Sequence, residues 1–281
     1  MARIAHLSDV HFGCQDDKVV DGATAWLQEQ QPDLVIISGD FTQRARVEQF
    51  KQASTWLNKL RSAGWPVLAV PGNHDIPLYD VATRLLAPYR GFVRTFGESL
   101  EPEFDSADLL VCCINTTRWW RHADGEISAE QIERAAARFR AARPEQLRIA
   151  VVHQPMAVID PADVENLLNG AASAARAWAD AGCDLVLGGH IHLPYVVPLV
   201  ARHAPMSREV WAVQAGTAVS SRVREGKPNS VNVIRHTAGA PCRIEQWDHD
   251  AARKAFVRIE TTDLKPTRPG PTPSPAPPSS P

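Results

Sequence analysis

Five short polar clusters each close an apolar run: Asp9-Val10-His11, Gly39-Asp40, Gly72-Asn73-His74-Asp75, His153, and Gly189-His190-Ile191-His192. Metal-binding side chains and glycines recur in all of them. The runs before them, residues 4–7, 34–38, 67–70, 148–152 and 185–187, are short and rich in β-branched residues, as buried strands are. In an open α/β sheet, ligands bind just beyond the carboxyl ends of the strands. Strand ends that deliver Asp, His and Asn to one edge therefore constrain the chain to an α/β fold with one shared polar site. Taken singly, Asp9, Asp40 or Asn73 would serve as well for capping a helix. The ordered set favours ligands.

Helical patterns separate these runs. Residues 17–30 place Val19, Val20, Ala23, Trp26 and Leu27 on one face, and 47–60 do the same with Phe50, Ala53, Trp56, Leu57 and Leu60. Ser128 with Gln131 three residues on makes a capping box that opens a helix to about residue 142. A further helix spans 171–181, and the apolar run 109–114 is another buried strand. After His192 the pattern changes to short strands at 195–200, 208–214, 230–236, 242–248 and 255–260. Residues 1–262 read as one domain, because the clusters span both parts. Residues 263–281 form a proline-rich tail that cannot build a core and is expected to be disordered or polyproline-like.

Carboxylates, an amide and imidazoles, without thiolates, suit divalent metals such as Mn, Fe, Zn or Co. Seven candidate ligands exceed one tetrahedral site. They fit two metals about 3.5–4 Å apart that share one carboxylate. Asp40, from an inner strand between the two groups, is the natural bridge. Glycines 39, 72, 188 and 189 permit tight turns and close backbone approach.

With 281 residues, the chain is long enough for a full core. A net charge of -2 excludes a general nucleic-acid binder, so phosphate affinity must arise locally. No apolar run reaches the roughly 18 residues of a membrane span, and the run at 4–7 is too short for a signal peptide. No membrane association and a cytoplasmic location are expected. The five cysteines show no C-x-x-C spacing and read as reduced packing residues, with Cys14 near the first cluster.

The five clusters resemble the calcineurin-like metallophosphoesterase superfamily over residues 1–262. That resemblance implies a four-layer α-β-β-α sandwich with a dinuclear centre. By position, Asp9, His11, Asp40 and His192 would bind one metal, and Asp40, Asn73, His153 and His190 the other. Mn and Fe are the leading metals, including mixed-valence pairs. A finer resemblance is to the branch of class III cyclic-nucleotide phosphodiesterases and glycerophosphodiesterases. It rests on residues 7–13 and 71–75, on Ala215-Gly216-Thr217-Ala218 through Arg222, and on residues 229–232. Two positions depart from that branch. Gln154 stands where a second His often follows the ligand, and Asn115-Thr116-Thr117 where an Asp often follows the strand.

The resemblance implies hydrolysis of a small phosphodiester by in-line attack of a metal-bridging hydroxide. Cyclic nucleotides such as 3',5'-cAMP are the leading substrates. Glycerophosphodiesters and other alkyl or aryl phosphodiesters, with phosphomonoesterase side activity, are the alternative. His74, outside both ligand sets, would protonate the leaving oxygen. Asp75 joins it as a catalytic-site residue that orients its surroundings. His6, His122, His203, His236 and His249 read as structural or surface residues.

Arg118-Trp119-Trp120-Arg121-His122 reads either as a cap over the site or as a loop packed on the domain or a partner subunit. A homodimer or larger homo-oligomer is compatible with the β-rich segment after residue 195. A protein phosphatase is disfavoured because Gly39-Asp40 is followed by Phe41-Thr42-Gln43-Arg44. A recombination nuclease would need a capping domain or basic stripe, and a lipid-precursor hydrolase an exposed apolar or amphipathic helical lid. None is evident in the sequence. A metal-free scaffold of the same fold is the distant rival, and it would be expected to have lost ligands.

Overall fold

The computed structural model describes residues 1–97 and 99–266. The chain alternates strands and helices from its start. β1 (Ala2–Leu7), β2 (Leu34–Ile37) and β3 (Val67–Ala69) run parallel, with Ile4 opposite Leu34 and Val35 opposite Val67. β4 (Glu103–Asp105), β5 (Leu109–Cys113), β6 (Leu147–Val151), β7 (Leu185–Gly188), β8 (Tyr195–Pro198) and β9 (Trp211–Gln214) form the second sheet. β10 (Ser230–His236), β11 (Cys242–Asp250) and β12 (Ala255–Leu264) return to the first. The strand orders are β12-β11-β10-β1-β2-β3 and β4-β5-β6-β7-β9-β8.

The strands read as unbroken apolar runs because both of their faces are covered. On β1 and β2, Ile4, Leu34 and Ile36 point between the sheets and meet Ile149, Val151, Leu185 and Leu187. Their neighbours Ala5, Leu7, Val35 and Ile37 point outward onto α1 (Asp17–Gln30) and α2 (Val47–Ser62), against Trp26, Leu27, Trp56 and Leu57. The second sheet does the same with α5 (Ala129–Arg140) and α6 (Ala171–Ala181), through Phe139 and Trp178, after the short helices α3 (Val81–Leu86) and α4 (Arg90–Phe96). A last short helix, α7 (Val200–His203), follows β8. The result is a helix–sheet–sheet–helix stack, the α-β-β-α architecture that the resemblance implies. Each fully buried Leu or Ile in the middle layer contributes about 1.5–3 kcal/mol.

Local signals account for the helix ends. Asp16 caps α1 by accepting from the Lys18 amide at 2.9 Å. The Ser128–Gln131 box closes in both directions, at 3.2 and 3.0 Å. Two features depart from expectation. β12 continues through Leu264, past the expected boundary at 262. The remaining tail, 267–281, lies outside the described residues. The sequence also gave no sign of an exposed apolar helix, yet α3 buries none of its residues and leaves Leu86 86% exposed. Among the described residues, no helix is long and apolar enough to cross a membrane.

Candidate metal centre

The candidate ligands all stand on loops that leave carboxyl ends of strands, from both sheets. The loops after β1, β2 and β3 carry Asp9 and His11, Asp40, and Asn73; those after β6 and β7 carry His153, His190 and His192. Backbone bonds zip these loops together: Asp9 N to Gly39 O at 3.0 Å, His11 N to Asp40 O at 2.9 Å, and Gly189 N to His153 O at 2.9 Å. The price is conformational. Asp9, His11, Asp40, His190 and His192 all have positive φ, between 42° and 74°. That left-handed region costs an ordinary residue about 1–3 kcal/mol and persists only where the surroundings over-determine it. A Cβ at Gly72 would fall on the Asp40 carboxylate and amide, so only glycine lets β3's loop pass this close. His190 and His192 sit in a bend past β7 rather than alternating along a strand.

Two groups of converging donors result. Asp9, His11 and His192 form one; Asp40, His153 and His190 form the other. His192 Nε2 lies 3.3 Å from Asp9 Oδ1, and His11 Nε2 lies 3.7 Å from it. Asp40 faces both groups, with Oδ2 at 3.6 Å from His11 Nε2 and Oδ1 at 3.5 Å from His153 Nε2. Asn73 Oδ1 sits 3.2 Å from His153 Nε2. The second nitrogens are already assigned: His153 Nδ1 donates to Ser38 O at 2.8 Å and His192 Nδ1 to Arg222 O at 2.5 Å. Such bonds turn the Nε2 lone pairs inward, as metal-binding imidazoles require.

Asp9 Oδ1 is buried with no hydrogen-bond donor, a costly state for a carboxylate oxygen unless a cation serves it. Oxygen and imidazole donors in two groups that share a carboxylate suit a pair of divalent cations.

Electrostatics point the same way. Burial opposes charge on every member. It drives the His11 pKa down to about 3, and burial together with the neighbouring His153 takes His190 to about 4. Burial would also depress His153, but the Asp40 carboxylate outweighs it and holds that ring up at about 9. Asp40 in turn stays well below the usual carboxylate range despite its burial, chiefly through His153. Positive charge is thus drawn to the Asp40 carboxylate.

A cavity of about 390 Å³ opens over the centre, bordered by Asn73, His74, His190, His192, Arg222 and Arg224 among others. His74 stands beside the ligands. Its Nδ1 donates to Gln43 O at 2.8 Å, and its Nε2 accepts from Arg222 Nη1 at 3.1 Å. Arg222 also donates to Gln43 Oε1 at 3.2 Å. Arg224 is held by Asp163 at 2.7 Å and Asp160 at 2.8 Å. Sequence reasoning counted Arg222 only within a resembling segment and did not place it at the site. The one signal was that segment, Ala215-Gly216-Thr217-Ala218 through Arg222.

Asp75 does not border the cavity. It is fully buried, and it accepts from the amides of Phe41, Thr42 and Gly72 at 3.1, 2.9 and 2.9 Å and from the Thr42 hydroxyl at 3.0 Å. Burial, reinforced by Asp40, pushes its pKa up to about 7. Its geometry is that of a clamp between the loops after β2 and β3. Gln154, which stands where a second His often follows the ligand, has both ends of its amide engaged, with Thr116 Oγ1 at 2.6 Å and Ala123 O at 3.0 Å. In the Arg118–His122 loop, Arg118 holds Gln131 and Arg121 holds Glu126, while His122 alone of the five borders the cavity.

The calcineurin-like phosphoesterase family profile matches residues 2–194. A glycerophosphodiester phosphodiesterase from Enterobacter lignolyticus is 36% identical over 83 residues, 26% of this chain and 29% of that protein. The match therefore spans under a third of that relative's length. A probable cyclic nucleotide phosphodiesterase from Synechococcus sp. is 22% identical over 206 residues, 69% of this chain and 74% of that protein. A dimetal phosphatase from Danio rerio shares the fold, with a TM-score of 0.62 over 95% of this chain and 99% of that one, at 13% identity.

Proposed function

The chain belongs to the calcineurin-like phosphoesterase family, and from that premise we propose that it is a metal-dependent hydrolase of a small phosphodiester, with cyclic nucleotides as the leading class. The observation that carries this reading is the pair of donor groups sharing Asp40 at the base of a cavity of about 390 Å³. That volume falls in the range of small-molecule sites, roughly 300–1,000 Å³. The similarity to a probable cyclic nucleotide phosphodiesterase, which extends over most of the chain, supports the substrate class.

Asp9, His11, Asp40 and His192 would hold one cation, and Asp40, Asn73, His153 and His190 the other. Two such cations supply Lewis acidity, lowering the pKa of water and neutralising charge on phosphoryl oxygens. Mn and Fe lead, and Zn or Co suit the same donors.

The chain's own residues do the rest. Arg222 offers a guanidinium to a phosphoryl oxygen in the cavity, a stronger acceptor than the imidazole it now contacts. Its transfer to substrate would free His74 Nε2. With Nδ1 fixed on the Gln43 carbonyl, a proton taken up at Nε2 points into the cavity, where His74 can pass it to the leaving alkoxide. Asp75 keeps both loops in register.

The test is a turnover screen of the Mn-loaded protein against 3',5'-cyclic nucleotides, glycerophosphodiesters, and aryl mono- and diesters. Cyclic nucleotides should give the highest kcat/KM. A clear preference for monoesters, or for glycerophosphodiesters, would replace the proposed substrate class.

A further inference from the structure

A second concavity, of about 610 Å³, shares no lining residue with the cavity over the metal centre. It is bordered by the N-terminal turn of α2, by the loop between Pro77 and Asp80, and by α4. Arg44, Arg46, Lys51, Arg90 and Arg94 all reach it, and all are exposed. Lys51 pairs with Glu48 at 2.9 Å. Among the described residues, no carboxylate forms an ion pair with the four arginines. Asp80 is the one acid among the described lining residues, and its oxygens already accept from Thr83 N at 3.0 Å and Thr83 Oγ1 at 2.6 Å. Among the described lining residues, Asp80, whose carboxyl the Thr83 bonds and, with them, Arg90 hold below its usual range, is the one acid set against four guanidinium groups, so the concavity keeps an excess of positive charge that a bound anion relieves. The first turn of α2 adds its partial positive charge.

The same concavity is not purely polar. Leu78 and Tyr79 are exposed by 39% and 73%, and Arg44 lies over the Tyr79 ring, 5.7 Å from its centroid. Val47, at the start of α2, is 70% exposed. Exposed apolar side chains beside an excess of cations match a ligand with both kinds of surface.

We propose that this concavity is a second, non-catalytic binding site for a small organic phosphate. Its phosphoryl oxygens bond to Arg44, Arg46, Arg90 and Arg94, and its apolar or aromatic portion rests on Leu78, Tyr79 and Val47. Paired arginines recognise phosphate oxygens with bidentate geometry that lysines do not offer. The site also has a route to the metal centre. Arg44 directly follows Gln43, whose carbonyl and side chain hold His74 and Arg222.

The site is independent of the hydrolytic reading, so it is tested on metal-free, full-length protein by isothermal titration. The probes are ADP, adenosine, inorganic pyrophosphate, and dihexanoyl phosphatidic acid below its micelle concentration. ADP or the short-chain lipid should bind more tightly than pyrophosphate or adenosine, since each joins both surfaces in one molecule. A preference for ADP identifies a base as the apolar portion; a preference for the lipid identifies an acyl chain.

The double substitution Arg44→Ala/Arg90→Ala should weaken the preferred probe at least 10-fold, and Arg222→Ala in the catalytic cavity should not. Arg46→Ala/Arg94→Ala is the second variant, and a melting curve verifies that each one folds. The proposal is overturned if no probe binds, if both groove variants bind as the parent does, or if Arg222→Ala alone abolishes binding.

Discussion

Among the site residues, Arg222 was the hardest to see in advance. It meets His74 across 148 positions of sequence, and apart from the resembling segment that ends on it nothing local marks one arginine among many as the one that arrives. The ligands were easier, because a strand end and a ligand side chain are adjacent in sequence. Arg222 holds His192 through its backbone carbonyl and His74 through its side chain. Arg222→Ala should therefore keep its metals, measured by mass spectrometry, while kcat/KM falls about 10²–10³-fold, the scale for losing a preorganised donor. His74→Ala should also retain its metals and lose about 10²–10⁴-fold. Loss of metal in either variant would remove the roles assigned to them.

His6 gives a stability prediction at the same scale. It is buried in β1 with Nε2 2.9 Å from Ser38 Oγ, and burial depresses its pKa to about 3 from 6.5. The unfolded chain binds this proton first as pH falls. Stability is thus complete above about pH 6.5 and is lost as pH falls toward 3, at up to about 1.4 kcal/mol per pH unit for this one group. Replacing it by His6→Asn should flatten the dependence of the melting temperature on pH in that window. An unchanged profile would assign the acid sensitivity elsewhere.

At the level of elements, the helices and strands with strong periodicity stand where their sequences put them, α1 and α6 to the residue. What was missed is short or lacks a pattern of its own. α3 and α4 have too few turns for a periodicity to show, and α3 buries nothing that would have created one. The 3-10 turn Asn73–Asp75 exists because of Asp75, whose carboxylate gathers three amides from two loops. A lone Asp beside a ligand cluster reads as a residue that orients its surroundings, and only the geometry shows that what it orients is backbone. Asp75→Ala strands those amides in a dry interior. It should cost about 3 kcal/mol or more in urea unfolding, with turnover falling through displaced loops. Wild-type stability in that variant would show that the clamp is dispensable.

For the whole molecule, the two sheets share the candidate centre. The first supplies Asp9, His11, Asp40 and Asn73, the second His153, His190 and His192. Cations held there tie the two layers together in addition to the apolar middle layer. Binding to the native state alone stabilises it by about 2.7 kcal/mol at a free metal concentration 100 times Kd. Calorimetry should therefore show a melting temperature that rises with added Mn and falls with chelator, while substitutions of surface acids leave the difference intact. A melting temperature indifferent to chelator would mean that the layers are held by their side chains alone.

The position of β10 has a consequence for how such a chain is made. β1, made well before β10, pairs on one side with β2 and on the other with β10, whose residues lie some 230 positions later. Until residues 230–236 emerge, that flank of β1 is an open strand edge, a template for pairing with the wrong chain. Ala218 N, which bonds to Ser8 O beside the first ligand, is equally late. Synthesis thus leaves that edge open until β10 arrives, and nascent chains halted before residue 230 are where a holdase chaperone would be needed most.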